Sequence, residues 1–102
     1  MKLPWVQGEL VFCDLREATR FLRKHDPELA LRFLRASYDT FDFIGANPEI
    51  GRLRLDAGLP DVRSWQVRGF RSYLILYSVE PARVLIHRVF HGSRDIGPEL
   101  LD

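Results

Sequence analysis

Two proline-marked breaks, Asp26-Pro27 and Asn47-Pro48, set the organisation of this chain. An aspartate side chain accepts the free amide hydrogens at a helix start, and proline suits the first helical position because its missing N–H has no partner to lose there. The residue before a proline is pushed out of helical geometry, so Asn47-Pro48 reads as a stop. Between the two breaks Ala30, Phe33, Leu34, Ser37, Phe41 and Ile44 recur at helical spacing, which predicts a helix up to Ala46. Upstream, Glu9–Cys13 has the composition of a strand, but Val11, Leu15, Ala18 and Leu22 recur at i, i+4, i+7 and i+11. That spacing predicts a first helix from about Glu9 to Lys24. Two helices joined by about two residues must lie antiparallel, and each carries one apolar stripe that needs cover.

The rest of the chain supplies the cover. Lys2–Gln7, broken by Pro4 and ended by Gly8, reads as an edge strand or an ordered arm. Residues 48–61 hold Pro48, Gly51, Gly58 and Pro60 without sustained periodicity, which predicts a loop. Three strands are expected at Val62–Arg68, Ser72–Val79 and Arg83–His91, with turns at Gly69-Phe70-Arg71 and Glu80-Pro81-Ala82 and a tail at Ser93–Asp102. The expected architecture is α+β: an N-terminal strand and an antiparallel helical hairpin packed on a three- to four-stranded, mainly antiparallel sheet.

Two strands carry further information. Tyr73-Leu74-Ile75-Leu76-Tyr77 is apolar throughout, as for a central strand buried on both faces. In Arg83–His91 strict alternation sets Val84, Ile86, Arg88 and Phe90 on one face, so Arg88 sits among apolar residues. A guanidinium there needs a structural partner or an open anion site.

At 102 residues the chain has the length of one domain, 1–102, and 46% hydrophobic residues provide for a real core. A net charge of +1 does not mark a general nucleic-acid binder. Local charge is different. Residues 52–94 hold Arg52, Arg54, Arg63, Arg68, Arg71, Arg83, Arg88 and Arg94 against Asp56, Asp61 and Glu80, a surplus of +5. The guanidinium fork suits carboxylate and phosphate equally, so this bias fits an acidic protein partner, a nucleic acid or an ion-paired sheet face. Cys13 is the single cysteine, so no internal disulfide forms; in a helix it is expected to be a buried, inert thiol. No apolar run has the length of a membrane span and the N-terminus shows no signal segment, so the expected compartment is the cytoplasm.

Few residues suggest chemistry. His87 and His91, four apart on a strand, are about 13 Å apart at strand rise, too far for one metal ion. No supported nucleophile, paired carboxylates or phosphate loop stands out. His91, beside Gly92 and Arg94-Asp95, could serve as a ribonuclease base with arginines on the phosphate, or could simply fix the C-terminal turn. Trp5, Phe12, Tyr38, Phe43 and Trp65 are aromatics beyond the core stripes, so some are expected at the surface.

Asp14-Leu15 with Phe21-Leu22, Asp26-Pro27-Glu28-Leu29-Ala30 leading to Phe33-Leu34, Asn47-Pro48-Glu49-Ile50-Gly51-Arg52, Phe70–Tyr77 and Val89-Phe90-His91-Gly92-Ser93-Arg94-Asp95 together resemble the ParE branch of the ParE/RelE toxin superfamily. The resemblance spans nearly the whole chain. It implies a cytoplasmic toxin of a bacterial type II toxin–antitoxin module, with the strand, hairpin and sheet derived above. It also implies a cognate antitoxin, ParD-like or other, whose acidic C-terminal segment holds the toxin inactive in a hetero-oligomer. RelE-like members cut messenger RNA in the ribosome with basic residues and a C-terminal Tyr or His-Tyr. Here the sheet lacks lysines and His91 is followed by Gly92. ParE-like members poison DNA gyrase without catalysis by the toxin. The expectation is therefore a gyrase inhibitor with no cofactor, no metal, no membrane association and no specific DNA binding of its own. Target or antitoxin binding is assigned to Arg52, Arg63, Arg68, Arg71, Arg94 and Trp65. The alternative is a ribosome-dependent endoribonuclease using His91 and Arg88.

Overall fold

The computed structural model of the protein describes residues 2–94, 97 and 101. Most of the tail expected at Ser93–Asp102 lies outside the described residues. Both helices form where the spacing places them. Helix α1 covers Val11–Arg23 and α2 covers Pro27–Ala46, with Asp26 as extended N-cap accepting the Glu28 N–H at 3.0 Å. Val11, Leu15, Ala18 and Leu22 of α1 and Ala30, Phe33, Phe41 and Ile44 of α2 are buried.

Among the described residues the sheet has five strands, in the order β1 (Trp5–Gln7), β5 (Val84–His91), β4 (Phe70–Val79), β3 (Val62–Val67), β2 (Arg52–Leu53). This exceeds the three or four expected, because β2 lies inside the segment read as loop. Two residues are too few to show a period, and β2 is recognisable only by its antiparallel pairing with Arg63 and Ser64. A 3₁₀ turn at Leu55–Ala57 comes directly after it. The sheet is mixed, since β1 runs parallel to β5 while the other pairings are antiparallel. The first hairpin is tighter than expected: Val67 pairs with Phe70, and Gly69 takes the turn at φ +82°, a conformation open to glycine.

One face of the sheet meets the helices. There Val67, Tyr73, Ile75, Tyr77, Val84, Ile86 and Val89 join the helix stripes in the main core. A smaller cluster of Leu76, Phe90, Val62 and Ala57, with Leu74 and Leu101 packed against it, covers part of the other face. The central strand is thus buried on both sides, as its composition implied.

Strict alternation fails in β5. Leu76 pairs with Arg88 but Tyr77 pairs with Ile86, so His87 is an extra residue, a bulge that re-aims the side chains from Arg88 onward. Val84 and Ile86 share the helix-facing core with Val89, while Phe90 joins the opposite cluster. The expected face of Val84, Ile86, Arg88 and Phe90 is therefore split, because a bulge shifts the side-chain period by one.

Candidate functional site

Beyond Ile86, β5 has no neighbouring strand on the β1 side among the described residues, because β1 ends opposite Ile86. Helix α1 fills the gap. Asp14, buried on α1, accepts the Val89 N–H at 3.0 Å and binds the Arg88 guanidinium at two points, Nε to Oδ2 at 2.7 Å and a terminal nitrogen to Oδ1 at 2.8 Å. Of the two roles open to Arg88, the structure contains the paired one. The carboxylate raises the Arg88 pKa further, against the opposing effect of burial.

Past this pair, α1 and the ends of β4 and β5 diverge into a cleft of about 290 Å³. Ala18, Phe21, Tyr73, Val89 and Phe90 give it apolar walls, with Glu17 on the helix side and His91 and Arg94 on the strand side. Burial pushes the Tyr73 phenol up, and the Glu17 carboxylate adds to the effect. The ring is therefore a neutral wall and a poor proton donor.

His91 is exposed and packs edge-on against Tyr73, ring centroids 5.4 Å apart. Its Nδ1 accepts the Ser93 N–H at 3.1 Å and lies 2.8 Å from Ser93 Oγ. An amide N–H can only donate, so Nδ1 is the unprotonated nitrogen and Nε2 carries the hydrogen of the neutral ring. The basic lone pair is turned inward to the turn.

The predicted binding arginines divide into three groups. Arg68 and Arg71 flank the β3–β4 hairpin, and Arg94 lies just past the end of β5. The pairing of Tyr73 with His91 puts all three at one end of the sheet. They are exposed, and no side-chain partner binds them among the described residues. Arg52 is exposed on the outer strand β2. Arg63, expected at the surface, is only half exposed and donates to the carbonyls of Glu49 at 3.2 Å and Gly51 at 2.8 Å. It holds the 48–61 segment, and so does Tyr77, whose hydroxyl donates to Pro48 O at 2.8 Å and accepts the Gly51 N–H at 2.9 Å. A Cβ on Gly51 would lie 2.5 Å from that hydroxyl. Trp65 is half-buried and stacks on exposed Phe43.

Among the described residues no group of three or more His, Cys, Asp or Glu side chains is placed to hold a metal ion, and no helix is long and apolar enough to cross a membrane. A family model for the ParE toxin of the type II toxin–antitoxin system parDE matches residues 11–96. The chain belongs to the ParE toxin family. It is therefore the toxin half of a type II pair, and such a system brings an antitoxin partner. A comparison with curated proteins gives no match.

In this ParE-family toxin two features were missed or misread from sequence. Asp14 carried a readable signal: it lies within the buried stripe of α1, between Val11 and Leu15, where a carboxylate needs a cation such as Arg88. Cys13 is exposed and not buried, because it falls one residue off that stripe. Of the extra aromatics, Phe12, Tyr38 and Phe43 are exposed, whereas Trp5 is half-buried and donates its indole N–H to Asp42 at 2.7 Å.

Proposed function

We propose that this toxin acts in the cytoplasm as a non-enzymatic inhibitor of DNA gyrase, with residues 1–102 forming one toxin domain. The observation carrying this reading is the state of His91. General acid–base cleavage needs a placed base and a placed acid. The basic nitrogen of His91 is engaged by Ser93, Arg88 is engaged by Asp14, and the buried Tyr73 phenol holds its proton. The chemistry left beside the cleft is that of binding: apolar walls and the guanidinium groups of Arg68, Arg71 and Arg94, which have no side-chain partner among the described residues.

Neutralisation fits the same surface. An antitoxin segment that is acidic and amphipathic would order on the toxin, covering arginines and exposed aromatics together. Calorimetry with the C-terminal peptide of the cognate antitoxin should show a large negative heat-capacity change and an affinity that falls with salt.

The deciding experiment compares purified toxin in gyrase supercoiling and DNA-cleavage assays with mapping of messenger RNA ends during translation. Inhibited supercoiling with unchanged RNA ends supports the proposal. New RNA ends with unaffected gyrase would replace it with the ribosome-dependent endoribonuclease.

A further inference from the structure

The cleft between α1 and the ends of β4 and β5 has three properties that together specify an occupant. It is small: about 290 Å³ is at the lower limit of the roughly 300–1,000 Å³ of small-molecule sites. Its walls are mostly apolar and partly aromatic, and Phe21, which forms one of them, is 55% exposed. An aromatic ring left that open at the edge of a cleft has surface still to bury. The charge around it is divided between its two walls. Asp14 is neutralised by Arg88, leaving Glu17 as the acidic group on the helix wall. Arg94 lines the opposite wall, and Arg71 and Arg68 lie at the same end of the sheet, their guanidinium groups without a side-chain partner among the described residues.

We infer that this cleft is the anchoring point for the protein the toxin inhibits, and that it takes one bulky apolar side chain of that protein, flanked by a carboxylate that pairs with Arg94. The inference rests on the target-binding reading above and adds a location and a chemistry to it. A cleft of side-chain size with apolar walls and an arginine at its rim is what an interface hot spot consists of. Most of the binding free energy is concentrated where an aromatic or aliphatic anchor is fully desolvated, and arginine is enriched beside it. The carboxylate is specified by charge: an uncharged neighbour would leave the Arg94 guanidinium desolvated at the rim without compensation. Arg71 and Arg68, further out, contribute a positive field that speeds encounter with an acidic surface and weakens with salt.

The test uses the full chain in three variants: Phe21→Ala, which removes one cleft wall; Arg94→Glu, which reverses the rim charge; and Leu31→Ala, which trims a residue 65% exposed on α2 and outside the cleft. Each is measured for gyrase inhibition, for growth arrest on induction without antitoxin, and for thermal unfolding. All three side chains are exposed, so all should fold as wild type. Phe21→Ala and Arg94→Glu should lose at least tenfold in inhibition or in the induction level needed for arrest, with the Arg94→Glu loss shrinking as salt rises. Leu31→Ala should stay within about threefold. If wild type inhibits gyrase and the two cleft variants match Leu31→Ala, the cleft is overturned while the gyrase reading stands. If wild type arrests growth without touching gyrase, the gyrase reading fails, and the arrest data alone decide the cleft by the same comparison. A wild type that arrests nothing overturns both. Should Phe21→Ala prove unstable, Glu17→Phe, which crowds the cleft from an exposed position on the same helix, gives the same readout.

Discussion

Asp14 and Arg88, 74 residues apart in sequence, form a two-point ion pair in which one carboxylate oxygen also takes the Val89 N–H. One aspartate thus takes the N–H that no described strand pairs on this edge of β5 and neutralises the guanidinium beside it. Removing one partner leaves the other buried and uncompensated.

Asp14→Ala should accordingly cost about 3–5 kcal/mol, more than a typical point change. Replacing both partners with apolar residues, as in Asp14→Leu with Arg88→Met, should cost less than Asp14→Ala alone. Urea unfolding of the three proteins checks this, and a double variant as unstable as the single one would count against the account.

Tyr77 offers a second stability test. Its hydroxyl joins Pro48 O to the Gly51 N–H, and both groups lose their partner in Tyr77→Phe. The expected cost is about 1–3 kcal/mol, together with faster amide exchange at Gly51 than in wild type. Unchanged exchange there would mean that Arg63 alone secures the segment.

The arginines should separate by role. Arg63→Glu breaks the bonds to the Glu49 and Gly51 carbonyls and should lower unfolding stability. Arg71→Glu should stay within about 0.5 kcal/mol of wild type yet weaken binding to antitoxin or target in a salt-dependent way. Thermal melts paired with binding isotherms at two salt concentrations distinguish the two.

His87 gives the fold a pH dependence. Burial pushes its pKa below the ordinary value, with Glu80 opposing, and Ser78 Oγ lies 2.6 Å from its Nε2. A histidine with a lowered folded pKa binds its proton more readily when unfolded. Its contribution is therefore fully present above about 6.5, the unfolded value, and is lost as pH falls below that. His87→Gln should flatten the stability profile across this window, and a profile identical to wild type would exclude His87 as its source.

If His91 has no catalytic role, the messenger RNA ends mapped after induction should be the same for wild type, His91→Ala and an uninduced control. Cuts present in wild type and absent in His91→Ala would assign the residue to cleavage.

Helix α2 was legible to the residue because Asp26-Pro27 and Asn47-Pro48 act through local sterics and capping, which the sequence states outright. The apolar run of β4 likewise announced burial on both faces. The hidden parts depend on partners distant in sequence. Nothing near Arg52-Leu53 marks a strand; Tyr77 and Arg63, on other strands, hold the segment in place. The His87 bulge has no composition signal, yet it decides where Arg88 points. For the site, Arg68, Arg71 and Arg94 were readable as charge, but their convergence comes from the β4–β5 register, and the cleft from the divergence of α1.

The parallel pairing of β1 with β5 has a consequence for synthesis. Trp5 pairs with Val84, Val6 with Leu85 and Gln7 with Ile86, so the first strand to leave the ribosome waits for the last. Until β5 emerges, the hairpin stripes have no finished sheet to cover them, and Asp14 has neither Arg88 nor Val89. Contacts this far apart in sequence slow folding, and the cleft walls come from both ends of the chain. A growing or truncated chain therefore carries no assembled cleft, and if the cleft holds the target, toxicity should begin only after translation has passed residue 94.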